Sequence, residues 1–132
     1  MKNGMTIKVV GLMVILTILI IASGVFAQKL LYNDSVKLGQ AIDGVMKDTK
    51  TQNWDQAESK LSQLSSSWEG VKHLWSALID HQEIDNIDVT LSRLQKLVET
   101  RDISSSMSEA AALKKFIDHI PDKESISMDN VF

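Results

Sequence analysis

The densest group of side chains that could do chemistry lies in the middle of the chain. It comprises Asp80, His81, Glu83, Asp85, Asn86 and Asp88. In a helix, His81, Asp85 and Asp88 share one face, and imidazole and carboxylate ligands can hold a divalent cation. The spacing matches no established ligand motif, and the same residues can cap a helix and solvate a turn. We favour that second interpretation, and we expect no metal site and no cofactor.

Histidines and serine runs are the remaining candidates for chemistry. The tripeptides Ile79-Asp80-His81 and Ile117-Asp118-His119 stand at the ends of two predicted helices. The helix dipole favours a histidine near a C-terminus, so a structural role suffices, and a pH-sensing pair is the alternative. His73 falls on a predicted exposed side. The runs Ser65–Ser67 and Ser104–Ser106 are expected at helix surfaces and caps rather than as nucleophiles.

Signatures of known enzyme classes are missing from the sequence. It contains no glycine-rich phosphate loop, no Gly-x-Ser-x-Gly elbow and no His-Glu-x-x-His motif. It contains no cysteine, which excludes disulfides, thiolate metal sites, cysteine nucleophiles and a lipidated N-terminal cysteine. We therefore predict that the protein is not an enzyme and has no catalytic, cofactor-binding or metal residues.

Charge is distributed unevenly along the chain. Residues 1–28 carry only Lys2 and Lys8, whereas the remainder holds all 17 acidic residues and 12 of the 14 basic ones. An acidic surface without basic clusters argues against binding nucleic acid, whose phosphates require a basic face. It argues equally against peripheral docking on anionic lipid.

The N-terminal region predicts a membrane anchor. Val9 to Gln28 is an uncharged run rich in Val, Ile and Leu, long enough to span a bilayer. A cleaved signal peptide is the alternative, with Val25-Phe26-Ala27 as the cleavage site. We favour the retained anchor because the run reaches spanning length and a helical pattern continues directly out of it. Residues 1–28 are thus predicted as tail and anchor, and 29–132 as a soluble bundle with a C-terminal tail.

The flanking charges give only a weak preference for the orientation of this anchor. Lys2 and Lys8 precede the apolar run, and Lys29 and Lys37 follow it. Equal lysine counts leave the positive-inside rule undecided. A short basic N-terminus before a first apolar segment usually stays in the cytoplasm. We therefore expect the soluble part on the outer side of the cell membrane.

One long amphipathic helix organises the soluble part. From Trp54 to Leu78, apolar residues alternate in steps of three and four, which keeps one helical stripe apolar. All three tryptophans lie on this stripe, so the largest burial in the chain is predicted there. Asn53 and Gln56 have the spacing of a capping box, and the helix is expected to end near Asp80. The predicted stripe is Trp54, Ala57, Leu61, Leu64, Trp68, Val71, Trp75 and Leu78.

A helix from Lys29 to Lys47 is predicted to continue directly out of the anchor. A loop over Asp48–Asn53 is expected to follow. Gly39 and Gly44 weaken this helix by roughly 1 kcal/mol each, so we expect them where a bulky neighbour, such as a tryptophan, approaches closely. The expected buried side consists of Leu31, Leu38, Ile42 and Val45.

Two further helices complete the predicted bundle. The third runs from about Glu83 to Thr100 after a polar turn. After a loop over Arg101–Ser105, the fourth opens with a capping box at Ser106–Glu109 and ends near His119, before Pro121. The apolar tail Asp122–Phe132 is expected to pack along the bundle. The expected buried residues are Ile84, Ile87, Leu91, Leu94 and Val98 in the third helix, and Ala110, Leu113, Phe116, Ile117 and Ile120 in the fourth.

Together these patterns predict an all-α protein, in which an N-terminal transmembrane helix leads into a small antiparallel bundle of about four helices. Each predicted helix is apolar on one side only and needs partners, and short connections favour antiparallel neighbours. A long parallel coiled coil is less favourable, because tryptophan is bulky for repeated seam positions.

The central stretch Trp75–Asp88, followed by Leu91 and Arg93-Leu94, resembles a family of uncharacterised proteins with a domain of unknown function. Further similarities lie at Asn53–Ala57, at Trp68 and in the ending His119–Pro121 with Glu124-Ser125. The resemblance implies a short, N-terminally anchored helical protein of Gram-positive bacteria whose relatives accompany multi-pass membrane proteins. It implies no activity.

The sequence therefore favours a non-enzymatic accessory protein. Residues 9–28 are expected to contact the lipid bilayer, and the bundle to bind another protein of the same membrane. The alternative is a ligand-sensing or small-molecule-binding bundle, with a pocket lined by Trp68 and Trp75. Blue-shifted tryptophan fluorescence that is insensitive to metabolites would favour a plain core over that pocket.

Overall fold

The computed structural model describes the backbone of residues 2–129 and the side chains of residues 3–124. This part of the chain is all-helical and has no strand, as predicted. The tail prediction for Asp122–Phe132 falls mostly outside the described side chains, although the backbone is helical to Asp129. The four helices are α1 (Lys2–Lys50), α2 (Trp54–Leu78), α3 (His81–Glu99) and α4 (Ile103–Asp129).

The helices form an antiparallel ring in chain order. α1 packs on α2 and α4, and α3 packs on the same two helices from the other side. Short connections between consecutive helices favour this arrangement. Its core contains nineteen buried apolar residues, drawn from all four helices and from the loop residue Ile79.

α1 is one uninterrupted helix of 49 residues, which confirms the predicted continuity between the apolar run and the first bundle helix. Leu31, Leu38, Ile42 and Val45 are all buried, as expected. The helix extends beyond Lys47 to Lys50, because Asp48 and Thr49 turn inward and are buried in its last turn. The predicted loop over Asp48–Asn53 therefore shrinks to residues 51–53.

The expected close approach of a neighbour to Gly39 and Gly44 is confirmed, but the suggestion that this neighbour is a tryptophan was wrong. No described tryptophan side chain lies within 4 Å of where a Cβ would stand at Gly39 or Gly44. A Cβ at Gly39 would lie 3.2 Å from Asp118 Oδ1, and one at Gly44 would lie 3.4 Å from Cδ of Lys60. The missing side chains of the glycines therefore leave room for charged side chains of α4 and α2. The tryptophans Trp68 and Trp75 are buried in the core instead.

α2 and α3 carry the predicted apolar stripes. In α2, Ala57, Leu61, Leu64, Trp68 and Trp75 are buried, and Trp54, Val71 and Leu78 are partly buried against the core. In α3, all five predicted residues are buried. Asn53 is the N-cap of α2, as predicted. The predicted capping box was wrong, because the side chain of Asn53 makes no capping hydrogen bond.

α4 begins three residues earlier than the sequence suggested. Asp102 precedes its first turn, accepting the Ser105 backbone N–H at 2.9 Å and the Ser105 hydroxyl at 2.7 Å. A carboxylate at the N-cap satisfies an amide that would otherwise be unpaired. The capping box predicted at Ser106–Glu109 was therefore wrong, and Ser106 is instead a buried residue inside the helix.

Pro121 does not end α4, contrary to the prediction that the helix stops near His119. Proline lacks the backbone N–H that would bond to the carbonyl four residues earlier, which here belongs to Ile117. The hydroxyl of Ser35 in α1 donates to that carbonyl oxygen at 3.1 Å in the buried interface. A neighbouring helix thus replaces the missing donor, and the backbone stays helical to Asp129.

Candidate functional site

Trp68 and Trp75 form the centre of the core. Their rings meet edge to face, with centroids 5.4 Å apart and planes at 89°. This is a favourable arrangement for aromatic pairs. The two residues are 1% and 0% exposed, so neither ring presents a face that could line a ligand pocket.

Each of these indoles donates its N–H to an aspartate on a neighbouring helix. Trp68 Nε1 lies 2.7 Å from Asp88 Oδ1 in α3, and Trp75 Nε1 lies 3.2 Å from Asp34 Oδ2 in α1. A buried indole N–H usually needs such an acceptor, so the predicted burial of the tryptophans indicates that bonds of this kind form. The partners lie 20 and 41 residues away, so the sequence did not identify them.

Asp88 also forms an ion pair. Its Oδ2 lies 2.6 Å from Lys72 Nζ, which is on the same helix as Trp68. The hydrogen bond to Asp88 raises the pKa of Lys72 above its usual value, against the opposing effect of burial. Asp88 therefore uses both carboxylate oxygens to join α2 and α3.

Asp80 and Glu83, two other members of the central polar cluster, serve separate structural roles. Asp80 caps α3 by accepting the Gln82 backbone N–H at 2.9 Å, and Glu83 pairs with Lys123 of α4 at 2.8 Å. Asp88 is committed to Trp68 and Lys72, as described above. Among the described residues, no group of three or more histidine, aspartate or glutamate side chains is placed to hold a metal ion.

The three histidines and the serine runs are separated in the fold. His73, His81 and His119 are each exposed, on α2, α3 and α4. In the serine runs, Ser65 accepts a hydrogen bond from Gln95 at 3.3 Å, and the other run lies at the start of α4. No described histidine forms a hydrogen bond with any of these serines, so none of these serines has an adjacent histidine base.

A surface groove of about 510 Å³ lies between α1 and α4, lined by both acidic and basic residues. Lys114 of α4 holds Asp43 of α1 with contacts of 2.7 and 2.8 Å. Burial raises the pKa of the Asp118 carboxyl, an effect that Lys114 partly offsets. This groove is an interhelical ion-pair surface.

The first half of α1 differs from the rest of the described chain. Its apolar side chains from Met5 to Ile21, together with Val25 and Phe26, are exposed on all sides of the helix. The helix is long and apolar enough to cross a membrane, and none of its most apolar window is buried. A helix that is apolar all round requires an apolar environment.

Fold and surface together define a class: a small antiparallel helical bundle that carries a candidate membrane span at its N-terminus. Residues 25–131 match the model of the domain of unknown function DUF4363. Since this match covers most of the chain, the protein belongs to the DUF4363 family, which confirms the resemblance to an uncharacterised domain family. Searches of curated proteins and of solved structures gave no match.

Proposed function

We propose that this protein is a non-enzymatic accessory protein, anchored in the cell membrane through residues 9–28, whose bundle binds another protein of the same membrane. The observation that carries the proposal is the continuity of α1. One helix leads from the exposed apolar half directly into the packed bundle. If the apolar half lies in lipid, the bundle is held immediately beside the bilayer, where an integral membrane protein is within reach.

The bundle itself supports binding rather than catalysis. Trp68 and Trp75 are buried in its core, and five of its described interhelical carboxylates are paired with lysines or indoles. Two apolar side chains remain exposed near the start of the bundle half of α1, namely Tyr32 (59%) and Val36 (40%). They lie one helical turn apart, so they offer a neighbouring protein a continuous apolar contact close to the membrane.

The proposed orientation places the bundle outside the cytoplasm. Lys2 and Lys8 precede the apolar run, and basic residues ahead of a first apolar segment favour retention of that flank on the cytoplasmic side. Protease treatment of intact protoplasts should therefore remove a C-terminal tag. A tag that survives until the membrane is opened would contradict this orientation.

Photocrosslinking in membranes tests the proposed partnership. A photoreactive amino acid at Val36 should give a defined adduct with one integral membrane protein, identified by mass spectrometry. Lys50 is the matched control, since it is exposed on the same helix at the end farthest from the apolar half. Adducts with lipid alone at Val36, or the same adducts from Lys50, would count against the proposal.

A further inference from the structure

A second groove between α1 and α4 lies at the boundary between the apolar run and the bundle. It has a volume of about 300 Å³ and is lined by side chains of both helices. Lys29 is the first charged residue after the uncharged run that ends at Gln28. The lining residues are Val25, Gln28, Lys29, Tyr32, Pro121 and Asp122.

The position of this groove along α1 matches a defined depth in a bilayer. At ~1.5 Å per residue, the helix from Val9 to Gln28 spans roughly 30 Å, the thickness of the hydrocarbon core. Lys29 then stands at the level of the lipid headgroups. Tyr32 follows less than one turn later, and tyrosine is enriched at this interface because its ring is amphipathic.

The fold holds the two walls of the groove together. Immediately above it, the Ser35 hydroxyl bonds to the Ile117 carbonyl that Pro121 leaves without a helical donor. This bond joins α4 to α1 within one turn of the groove. Val25 and Pro121 are the apolar residues that line the groove, and Gln28, Lys29 and Tyr32 are the lining residues whose side chains carry hydrogen-bond donors.

We propose that this groove binds the phosphate of a phospholipid headgroup, with Lys29 as the principal contact. The proposal rests on the membrane anchoring put forward above. The carboxylate of Asp122 lines the same groove and can accept a hydrogen bond from the ammonium of phosphatidylethanolamine, a group that phosphatidylglycerol lacks. The groove therefore selects a zwitterionic headgroup, such as that of phosphatidylethanolamine, over the anionic headgroup of phosphatidylglycerol.

Native mass spectrometry of the full chain in detergent tests this site by titration with each of these two lipids. Lys29→Gln should weaken retention of phosphatidylethanolamine by about tenfold or more, since it removes a charged hydrogen bond. Lys47→Gln is the matched control, because it makes the same charge change on the exposed side of the same helix, within its last turn. Equal losses in the two variants, or tighter retention of phosphatidylglycerol by the unmodified protein, would overturn the proposal.

A soluble headgroup separates a lipid site from a site for free phosphate esters. Glycerophosphoethanolamine lacks acyl chains, and it should bind at least about tenfold more weakly than the lipid, since it cannot place chains along the apolar half of α1. Binding as tight as that of the lipid would overturn the assignment to a lipid. Failure of the crosslinking experiment would refute the partner protein and leave this result unaffected, so the two proposals fail separately.

Discussion

The two halves of α1 belong to one helix but differ in the exposure of their apolar side chains. From Met5 to Phe26, apolar residues occur on every side and are nearly all exposed. From Leu31 to Val45, apolar residues that recur on one side are buried to at least 97%. The most apolar window of the first half is not buried by the described chain, whereas the second half packs against α2 and α4. This contrast indicates that the bundle is stabilised by its own core and not by the first half of α1.

Truncation of one large side chain in the bundle core and of one in the first half of α1 should test this comparison most strongly. Trp68→Ala removes a 1%-exposed ring that packs on Trp75 and should destabilise the bundle by about 3–5 kcal/mol. Leu16→Ala, at a position that is 50% exposed, should leave bundle stability unchanged. Urea unfolding of the full chain in detergent micelles, followed by circular dichroism, measures both. Similar losses of stability in the two variants would show that the bundle does not fold independently of the first half of α1.

The link between Ser35 and Pro121 gives the next largest effect. Ser35→Ala leaves the buried Ile117 carbonyl without its interhelical donor and should cost about 1–3 kcal/mol. In a Pro121→Ala background the alanine N–H can bond to the same carbonyl, so Ser35→Ala should then cost at least about 1 kcal/mol less. The same unfolding assay completes this double-mutant cycle. Additive effects would contradict the role of Ser35 as a replacement donor.

The sequence predicted most of the fold because hydrophobic periodicity reports burial directly. The buried stripes of α2 and α3 and the continuity of α1 follow from spacing alone. The boundary of α4 at Pro121 did not, because the donor that rescues the Ile117 carbonyl comes from Ser35, 82 residues away. Asp102 was missed as the cap of α4 because Ser106–Glu109 offered a competing capping signal.

Charged residues on the bundle surface were harder to assign from sequence. The partners of Trp68, Trp75 and Lys114 all lie on other helices, so only the packed structure reveals them. Sequence reasoning grouped Asp80, Glu83 and Asp88 because they are close along the chain. In the fold they face different partners, and the apparent cluster has no common centre.

Substitution of Asp118 should give the smallest effect, and its size depends on pH. Burial raises the pKa of its carboxyl in the folded chain, so ionisation at neutral pH opposes folding. Asp118→Asn should therefore raise the melting temperature slightly at pH 7. The gain in the free energy of unfolding should be less than about 0.5 kcal/mol, because much of the Asp118 side chain remains exposed to water, which screens its charge. The gain should vanish as the pH falls below 3.8, the usual pKa of an aspartate, because the Asp118 carboxyl is then protonated in both the folded and the unfolded chain. Thermal unfolding at pH 7 and at acidic pH checks this, and a melting temperature lowered by the substitution at pH 7 would contradict it.

Cysteine accessibility tests most directly the claim that the first half of α1 lies in lipid. The chain has no cysteine, so a single one can be placed at Ile20, which is 68% exposed, or at Val36, which is 40% exposed. A membrane-permeant maleimide reacts with the thiolate, which forms in water and not in hydrocarbon. In intact membranes, full-length protein with cysteine at Val36 should be labelled, and that with cysteine at Ile20 should react only after denaturation. Equal labelling of the two positions, or a mature chain that lacks Ile20, would contradict the account.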